Sequence, residues 1–128
     1  MDNRTMIPET RQCKIVSPGT LNDHNTLFGG NAMQWMEEVA YIAAIRFIRK
    51  NVAIESIGKA KFLSPVKAGT FSEITGNIVK VSEDTVEVQV DLHTEEFFTG
   101  EKEKAIEVVF VYKIVDPELR SMTESSII

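Results

Sequence analysis

The sequence is poor in several features that mark common classes of protein. Its one cysteine, Cys13, can form no internal disulfide, which suits a reducing compartment, and we expect this residue to be a small core residue. The only histidines, His24 and His93, are too few for a histidine-based metal site. No run approaches the roughly 18 apolar residues of a membrane span. These absences predict a protein without a disulfide, a metal or membrane insertion.

Positive charge is also scarce. The 128 residues contain 14 Lys and Arg against 19 Asp and Glu, which gives a formal net charge of −5. A nucleic-acid surface needs clustered basic residues, so this balance argues against DNA or RNA as a partner. The N-terminus is polar and acidic, and it lacks the apolar core of a secretory signal and the composition of a transit peptide. We therefore expect a cytoplasmic protein.

One long helix is predicted for residues 31–50. Asn31 suits the cap position, and Arg46, Arg49 and Lys50 crowd the last turns, where cations oppose the negative end of the helix dipole. Apolar residues cover most sides of this segment, which is typical of a buried central helix.

The rest of the chain alternates between apolar and polar residues and predicts a sheet. We expect strands at about residues 14–16, 52–63, 71–81, 86–92 and 106–115. Pro65 and Gly69 mark one turn, and residues 82–84 mark another. The order predicts an α+β fold, with an antiparallel sheet of about five strands wrapped around one long central helix. The length suits a single domain, residues 1–116, followed by a polar tail at 117–128.

Two adjacent acids lie within the predicted helix, and a rotation of 100° per residue separates their faces. Glu38 falls on the most polar line of the helix, with Gln34, so we expect it to be solvated or paired. Glu37 borders the apolar side, near Met33 and Tyr41. Lost hydration there would raise the pKa of this carboxyl towards the range of a general base. Taken alone, Glu37 could equally be an edge residue whose carboxylate reaches water.

The segment before the helix supplies complementary groups. Gly29 and Gly30, which follow Phe28, let a ligand approach the backbone while the first helical N–H groups stay unpaired. Such donors stabilise an oxygen that gains negative charge during a reaction. Asn22 adds an amide donor upstream. One short segment therefore contains an oxyanion site, an orienting amide and a carboxylate.

These residues resemble a known family. NDHNTLFGG at 22–30 and WMEEVA at 35–40 are similar to the N-x-x-[GN]-T-L-F-G-G and W-M-[DE]-E-x-A signature of hot-dog-fold acyl-CoA thioesterases. FLSPVKAG at 62–69 resembles the family's F-x-x-P-V-x-x-G turn, and the likeness covers about residues 12–116. It implies hydrolysis of acyl-CoA to a free acid and CoA, with no cofactor or metal. It also implies a homodimer with active sites at the interface, often assembled further into hexamers as a trimer of dimers.

The resemblance also implies site residues. Glu37 matches the catalytic carboxylate, Asn22 matches the asparagine that orients the thioester, the two coming from opposite subunits, and the N–H of Gly30 would stabilise the oxyanion. We expect substrate contacts from a further set of residues, including lysines for the CoA phosphates: Thr26, Phe28, Gly29, Lys59, Lys61, Lys67, Lys102 and Lys104. Many members have Asp where this chain has Glu37. Thr70 stands where the family commonly has an acid after its P-V-x-x-G turn. Residues 82–85 lack the glycine that the family usually has in its G-x-T-S turn, so the substrate preference stays open.

Two other functions remain open from the sequence. Hot-dog dehydratases pair a loop histidine with a helix glutamate, and His24 precedes Glu37 at nearly their spacing, although their proline-rich stretch is absent. A non-catalytic acyl-CoA-binding protein could share the fold. Within the hydrolase reading, Glu37 is either a general base that activates water or a nucleophile that forms a mixed anhydride.

Overall fold

A computed structural model describes residues 9–115 and contains one long helix and five strands. The elements are β1 (Thr10–Ile15), a 3-10 turn (Pro18–Thr20), α1 (Gly29–Ile48), β2 (Val52–Phe62), β3 (Thr70–Val81), β4 (Thr85–Glu96) and β5 (Lys102–Ile114). All strand pairs are antiparallel, in the order β1-β3-β4-β5-β2. The predicted α+β fold is confirmed. The predicted boundary at residue 116 and the tail at 117–128 lie outside the described residues.

The helix begins two residues earlier than the sequence predicted, so the choice of Asn31 as its cap is wrong. Phe28 occupies the cap position without a side-chain hydrogen bond, and its carbonyl accepts from the N–H groups of Asn31 and Ala32. Tertiary contacts fix this start, because the N–H of Phe28 donates to Thr20 and that of Leu27 donates to Val66. Gly29 and Gly30 are consequently the first two helical residues.

The apolar face of α1 packs on the inner face of β3 and β4. Alternate residues of β4 point inward and are fully buried, as the alternating sequence predicted: Val86, Val88, Val90 and Leu92. The helix comes closest to the sheet at Gly76, where an added Cβ would lie 3.0 Å from Cγ1 of Val39. The other side of α1 stays open, and Ile42 is exposed.

The two outer strands have contrasting surfaces. On β1, polar Gln12 and Lys14 face the helix, so Cys13 lies on the opposite face and is exposed, and its prediction as a core residue is wrong. On β2, which pairs only with β5, Ile54, Ile57 and Phe62 are each about half exposed or more. Such an apolar unpaired strand edge is normally covered in native proteins. Neither helix within residues 9–115 combines the length and apolar character that crossing a bilayer requires.

Candidate active site

Glu37 lies on α1 in contact with a buried tyrosine from the far end of the chain. The hydroxyl of Tyr112, on β5, lies 2.7 Å from Oε2 of Glu37 and 3.2 Å from the backbone carbonyl oxygen of the same residue. Glu37 is half-buried, whereas Tyr112 is fully buried. Both line a cavity of about 420 Å³, which we call the Glu37 cavity. Its other lining residues are Gln34, Glu38, Tyr41, Val52, Ala53 and Ile54.

The charges in the Glu37 cavity leave the carboxylate available for proton transfer. Burial raises the pKa of Tyr112 far above its usual value, and the hydrogen bond to Glu37 raises it further, so this hydroxyl stays protonated and acts as a donor. Among the described residues, no cation lies within ion-pair distance of Glu37, and its Oε1 accepts no hydrogen bond. The carboxylate thus has one oxygen held by Tyr112 and one oxygen free to accept a proton.

Glu38 points to a different environment, as its place on the polar line predicted. It is exposed, and Nε2 of Gln12 on β1 donates to its Oε1 at 3.3 Å. Glu38 also borders the Glu37 cavity, so the two acids share one rim while differing in burial and in partner. This difference makes Glu38 the natural control for Glu37.

The side chain of Asn22 is fixed by its own loop. Its Oδ1 lies 2.9 Å from the backbone nitrogen of His24, and 3.1 Å from both the backbone nitrogen and the hydroxyl oxygen of Thr26. Three donors converge on this atom, which identifies it as the amide oxygen. The amide NH₂ group then has no hydrogen-bond partner among the described residues and is free to donate.

Donors of a second kind lie at the start of α1. In the described part of the chain, the N–H groups of Gly29 and Gly30 have no partner, because the first bonds of the helix are made by Asn31 and Ala32. Apart from its chain neighbours and the adjacent helix backbone, a methyl group built on either glycine would meet no described atom within 4 Å. Internal packing therefore does not require glycine at these positions. The open space permits a ligand or a second chain to approach the backbone closely.

A second cavity, of about 320 Å³, lies beside these glycines, and we call it the helix-start cavity. Its lining residues come from the loop before α1, from the helix itself, from the end of β2 with the following turn, and from β5: Thr26, Leu27, Gly29, Ala32, Phe62, Leu63, Ser64, Pro65, Val66 and Ile106. Of the predicted substrate-binding residues, Thr26 and Gly29 border it. Phe28 lies at the cap position and is half exposed.

A single chain does not bring the predicted catalytic residues together. The Glu37 cavity and the helix-start cavity share no lining residue. At 1.5 Å per residue, Gly30 and Glu37 are about 10 Å apart along the helix axis. The free N–H group of Gly29 and the carboxylate of Glu37 therefore lie at separate openings of the protomer.

The five candidate lysines fall into two groups. Lys102 lies 3.7 Å from carboxylate oxygens of both Glu73 and Glu95, and Lys104 lies 3.4 Å from those of Asp91 and Glu107. Both are thus already opposed by acids on the outer face of the sheet.

By contrast, Lys59, Lys61 and Lys67 are exposed and have no ion pair within residues 9–115. Lys59 has a positive φ of 52° at an irregularity between Gly58 and Lys61, so the regular alternation of side chains along β2 is interrupted between Lys59 and Lys61. Lys67 follows the turn after β2 and borders a cavity of about 260 Å³ that three acids also line: Glu96, Glu101 and Glu103.

Neither histidine lies in a site with Glu37 in the protomer. His24 is exposed and lies 3.8 Å from the carboxylate of its neighbour Asp23, and it lines neither the Glu37 cavity nor the helix-start cavity. His93 lies on β4, opposite Lys104. Across the described segment, no group of three or more His, Cys, Asp and Glu residues is arranged to hold a metal ion.

Sequence reasoning missed Tyr112. The available signal was a tyrosine at an inward position of β5, two residues after Phe110 and four after Val108, which are both buried. A buried tyrosine hydroxyl normally finds a hydrogen-bond partner, so its inward position calls for a polar group on the facing helix. Only the packing of β5 against α1 identifies that group as Glu37, 75 residues away.

Comparison with known proteins places the chain in a family. The model of the Thioesterase superfamily matches residues 24–96. The chain is 32% identical over 117 residues to an uncharacterized acyl-CoA thioester hydrolase, YkhA, of Bacillus subtilis, a match that covers 85% of the chain and 68% of that protein.

Solved structures agree with this match. An acyl-CoA hydrolase from Bacillus cereus superposes with a TM-score of 0.84 at 30% identity, covering 91% of this chain and 69% of that one. A hexameric acyl-CoA thioesterase in its apo form superposes with a TM-score of 0.82 at 27% identity, covering 86% and 70%. Five antiparallel strands around one long helix form the hot-dog fold of these proteins, and the chain belongs to the Thioesterase superfamily.

Proposed function

We propose that this protein hydrolyses acyl-CoA thioesters to a free carboxylic acid and CoA. The observation that carries the proposal is the unpaired Glu37 carboxylate, held by Tyr112 at the rim of an open cavity, in a chain that belongs to the Thioesterase superfamily. The similar proteins from Bacillus subtilis and Bacillus cereus, which are named as acyl-CoA hydrolases, support the same substrate class.

Each group has a role that its geometry supports. The thioester carbonyl oxygen accepts hydrogen bonds from the free N–H groups at the helix start, Gly30 above all, and the amide of Asn22 orients the thioester. Glu37 either takes a proton from the attacking water or attacks the carbonyl carbon itself to form an anhydride that water then hydrolyses. In both routes the C–S bond breaks, and CoA leaves as a thiolate that takes up a proton. We propose no cofactor.

The site is completed by a second copy of the chain. Antiparallel pairing of two β2 strands about a twofold axis near Ile57, the middle of Val52–Phe62, sets residues 52–54 of one copy beside residues 60–62 of the other. Residues 52–54 line the Glu37 cavity, and Phe62 lines the helix-start cavity. Pairing along this edge would therefore join the two cavities across the interface. It would also cover the exposed apolar edge of β2.

The assembly we propose is a homo-oligomer built from such dimers. The solved structure of a hexameric thioesterase with a TM-score of 0.82 supports further association into a trimer of dimers. A cytoplasmic location remains part of the proposal, because the single cysteine suits a reducing compartment.

The decisive experiment follows release of free thiol from a panel of CoA thioesters, from acetyl-CoA to palmitoyl-CoA. Glu37→Gln keeps the shape of the side chain but cannot accept a proton, so it should lower kcat by about 10²- to 10⁴-fold. Glu38→Gln is the matched control, and we expect it to keep nearly full activity because Gln12 already holds that exposed carboxylate. If Glu38→Gln proves to be the inactive variant, the assignment of the helix faces is wrong.

The same panel separates the two alternative functions. Hydration of an enoyl-CoA without thiol release would select a dehydratase or hydratase that uses His24 with Glu37. Binding of acyl-CoA without turnover would select a non-catalytic binding protein. The similarity of the chain to proteins named as acyl-CoA hydrolases favours the hydrolase.

A further inference from the structure

We propose that Tyr112 is a positioning residue that holds the Glu37 carboxylate in its reactive orientation. This inference rests on the proposed hydrolase function and names a residue that acts on the same site. Tyr112 lies outside residues 24–96, the part of the chain that matches the family model. Neither the spacing of the site residues nor the likeness to the hydrolases assigns it a role.

The geometry of the contact supports the proposal. The hydroxyl of Tyr112 is 2.7 Å from Oε2 of Glu37, a short distance typical of hydrogen bonds to a charged acceptor. The ring is fully buried on the inner face of β5, so its hydroxyl cannot turn to water for another partner. The ring of Tyr41, with its centroid 6.1 Å away, packs beside it. The donor is therefore fixed in place before any substrate binds.

The length of the glutamate side chain explains why such a donor is needed. A glutamate has three rotatable side-chain bonds, and a half-buried one at a cavity rim can direct its carboxylate towards the cavity or towards solvent. Anchoring Oε2 on Tyr112 selects one of these orientations and leaves Oε1 without a hydrogen-bond partner among the described residues, in a side chain that lines the cavity. A catalytic group that is already oriented loses less conformational freedom on reaching the transition state.

A purely structural role would need only part of this contact. The hydroxyl of Tyr112 is also 3.2 Å from the backbone carbonyl oxygen of Glu37, and that acceptor alone would satisfy a buried tyrosine. The carboxylate contact is shorter by 0.5 Å, the difference between 3.2 Å and 2.7 Å, and it involves the more buried of the two acids that line the cavity. The two roles can be separated because only the positioning role depends on the Glu37 side chain.

The test uses Tyr112→Phe, which removes the hydroxyl and keeps the buried ring. We expect kcat for thiol release to fall about 10- to 100-fold while KM stays within about twofold, since the variant loses a hydrogen bond to a charged group that is not itself a binding contact. Thermal unfolding of the same sample checks that the fold is kept. Ser72→Ala is the control, because it removes a fully buried hydroxyl on β3 that does not line the Glu37 cavity, and we expect it to retain wild-type kcat.

A double variant separates positioning from general damage. If Tyr112 acts through the Glu37 carboxylate, adding Tyr112→Phe to Glu37→Gln should change the residual rate by less than about twofold. An equal further loss in the Glu37→Gln background would overturn the proposal, and so would a Tyr112→Phe enzyme as active as wild type. Wild-type protein that releases no thiol would overturn the proposed function and this inference together. An active wild type with an unimpaired Tyr112→Phe would overturn this inference alone.

Discussion

Mixing two inactive variants tests whether each active site is built from two chains. Glu37→Gln removes the proton acceptor. Asn22→Asp is the suitable partner variant, because it keeps an oxygen to accept the three hydrogen bonds from His24 and Thr26 that fix the loop, and it loses only the amide donor. Asn22→Ala would lose all three bonds and disturb the loop as well. We expect each variant alone to have roughly 1% of wild-type activity or less, because each lacks one of the proposed catalytic groups.

The expected recovery follows from the proposed twofold pairing of two β2 strands. After random exchange of equal amounts, about half of the dimers contain one subunit of each kind, and each such dimer has one site with both wild-type residues. Thiol release should therefore recover to roughly a quarter of wild type, at least 25 times either parent, if the two sites act independently. Mass spectrometry of variants carrying tags of different mass reports the exchange.

A matched mixture controls for changes other than complementation. Mixing Glu37→Gln with the double variant Asn22→Asp, Glu37→Gln gives no site with both wild-type residues, so it should remain inactive. If the first mixture also stays inactive once exchange is complete, Asn22 and Glu37 do not meet across an interface. A monomer in light scattering would refute the composite site directly.

Three further predictions concern packing, assembly and CoA binding. Gly76→Ala should destabilise the fold by about 1–2 kcal/mol, measured by denaturant unfolding, because its Cβ would lie 3.0 Å from the buried, β-branched Val39; a stabilised variant would refute this packing argument. Ile57→Lys should yield a monomer without thiol release, as judged by light scattering and the CoA assay, because two like charges would meet at the centre of the paired β2 strands; an active dimer would place the interface elsewhere. Replacing Lys59 and Lys61 by Gln should raise KM for acyl-CoA at low salt with little change in kcat, and an unchanged KM would leave the phosphates to other groups.

Local patterns in the sequence were sufficient to predict the secondary structure and to tell which residues lie on which face of the helix. Alternation predicted β2 to β5 to within a few residues at most ends, because strand side chains alternate strictly between two faces. The 3.6-residue repeat separated Glu37 from Glu38, and the structure finds the first half-buried and the second exposed. The same repeat could not supply the start of α1, since the carbonyl that opens the helix belongs to Phe28, held by contacts with Thr20 and Val66.

The contacts across the sheet depended on tertiary structure. Lys102 and Lys104 were expected to contact the CoA phosphates, but strand pairing places acids from β3 and β4 next to them. Cys13 was expected to be a small core residue. The inner face of β1, an outer strand, is only partly covered by the helix and tolerates polar side chains, so Gln12 and Lys14 face inward and Cys13 is exposed on the opposite face.

For the proposed site, too, some features could be predicted from the sequence and others depended on tertiary structure. The groups proposed for it could be named from the sequence, because a carboxylate on a helix and free N–H groups at a helix start depend on residues close together in the chain. The positions of these groups relative to one another could not be predicted from the sequence. The hydrogen bond from Tyr112 to Glu37 joins residues 75 positions apart, and it exists only because β5 packs beneath α1. The Glu37 cavity and the helix-start cavity are kept apart by the helix between them, which rises 1.5 Å per residue. Only the exposed edge of β2 indicates where a second chain would join these two cavities.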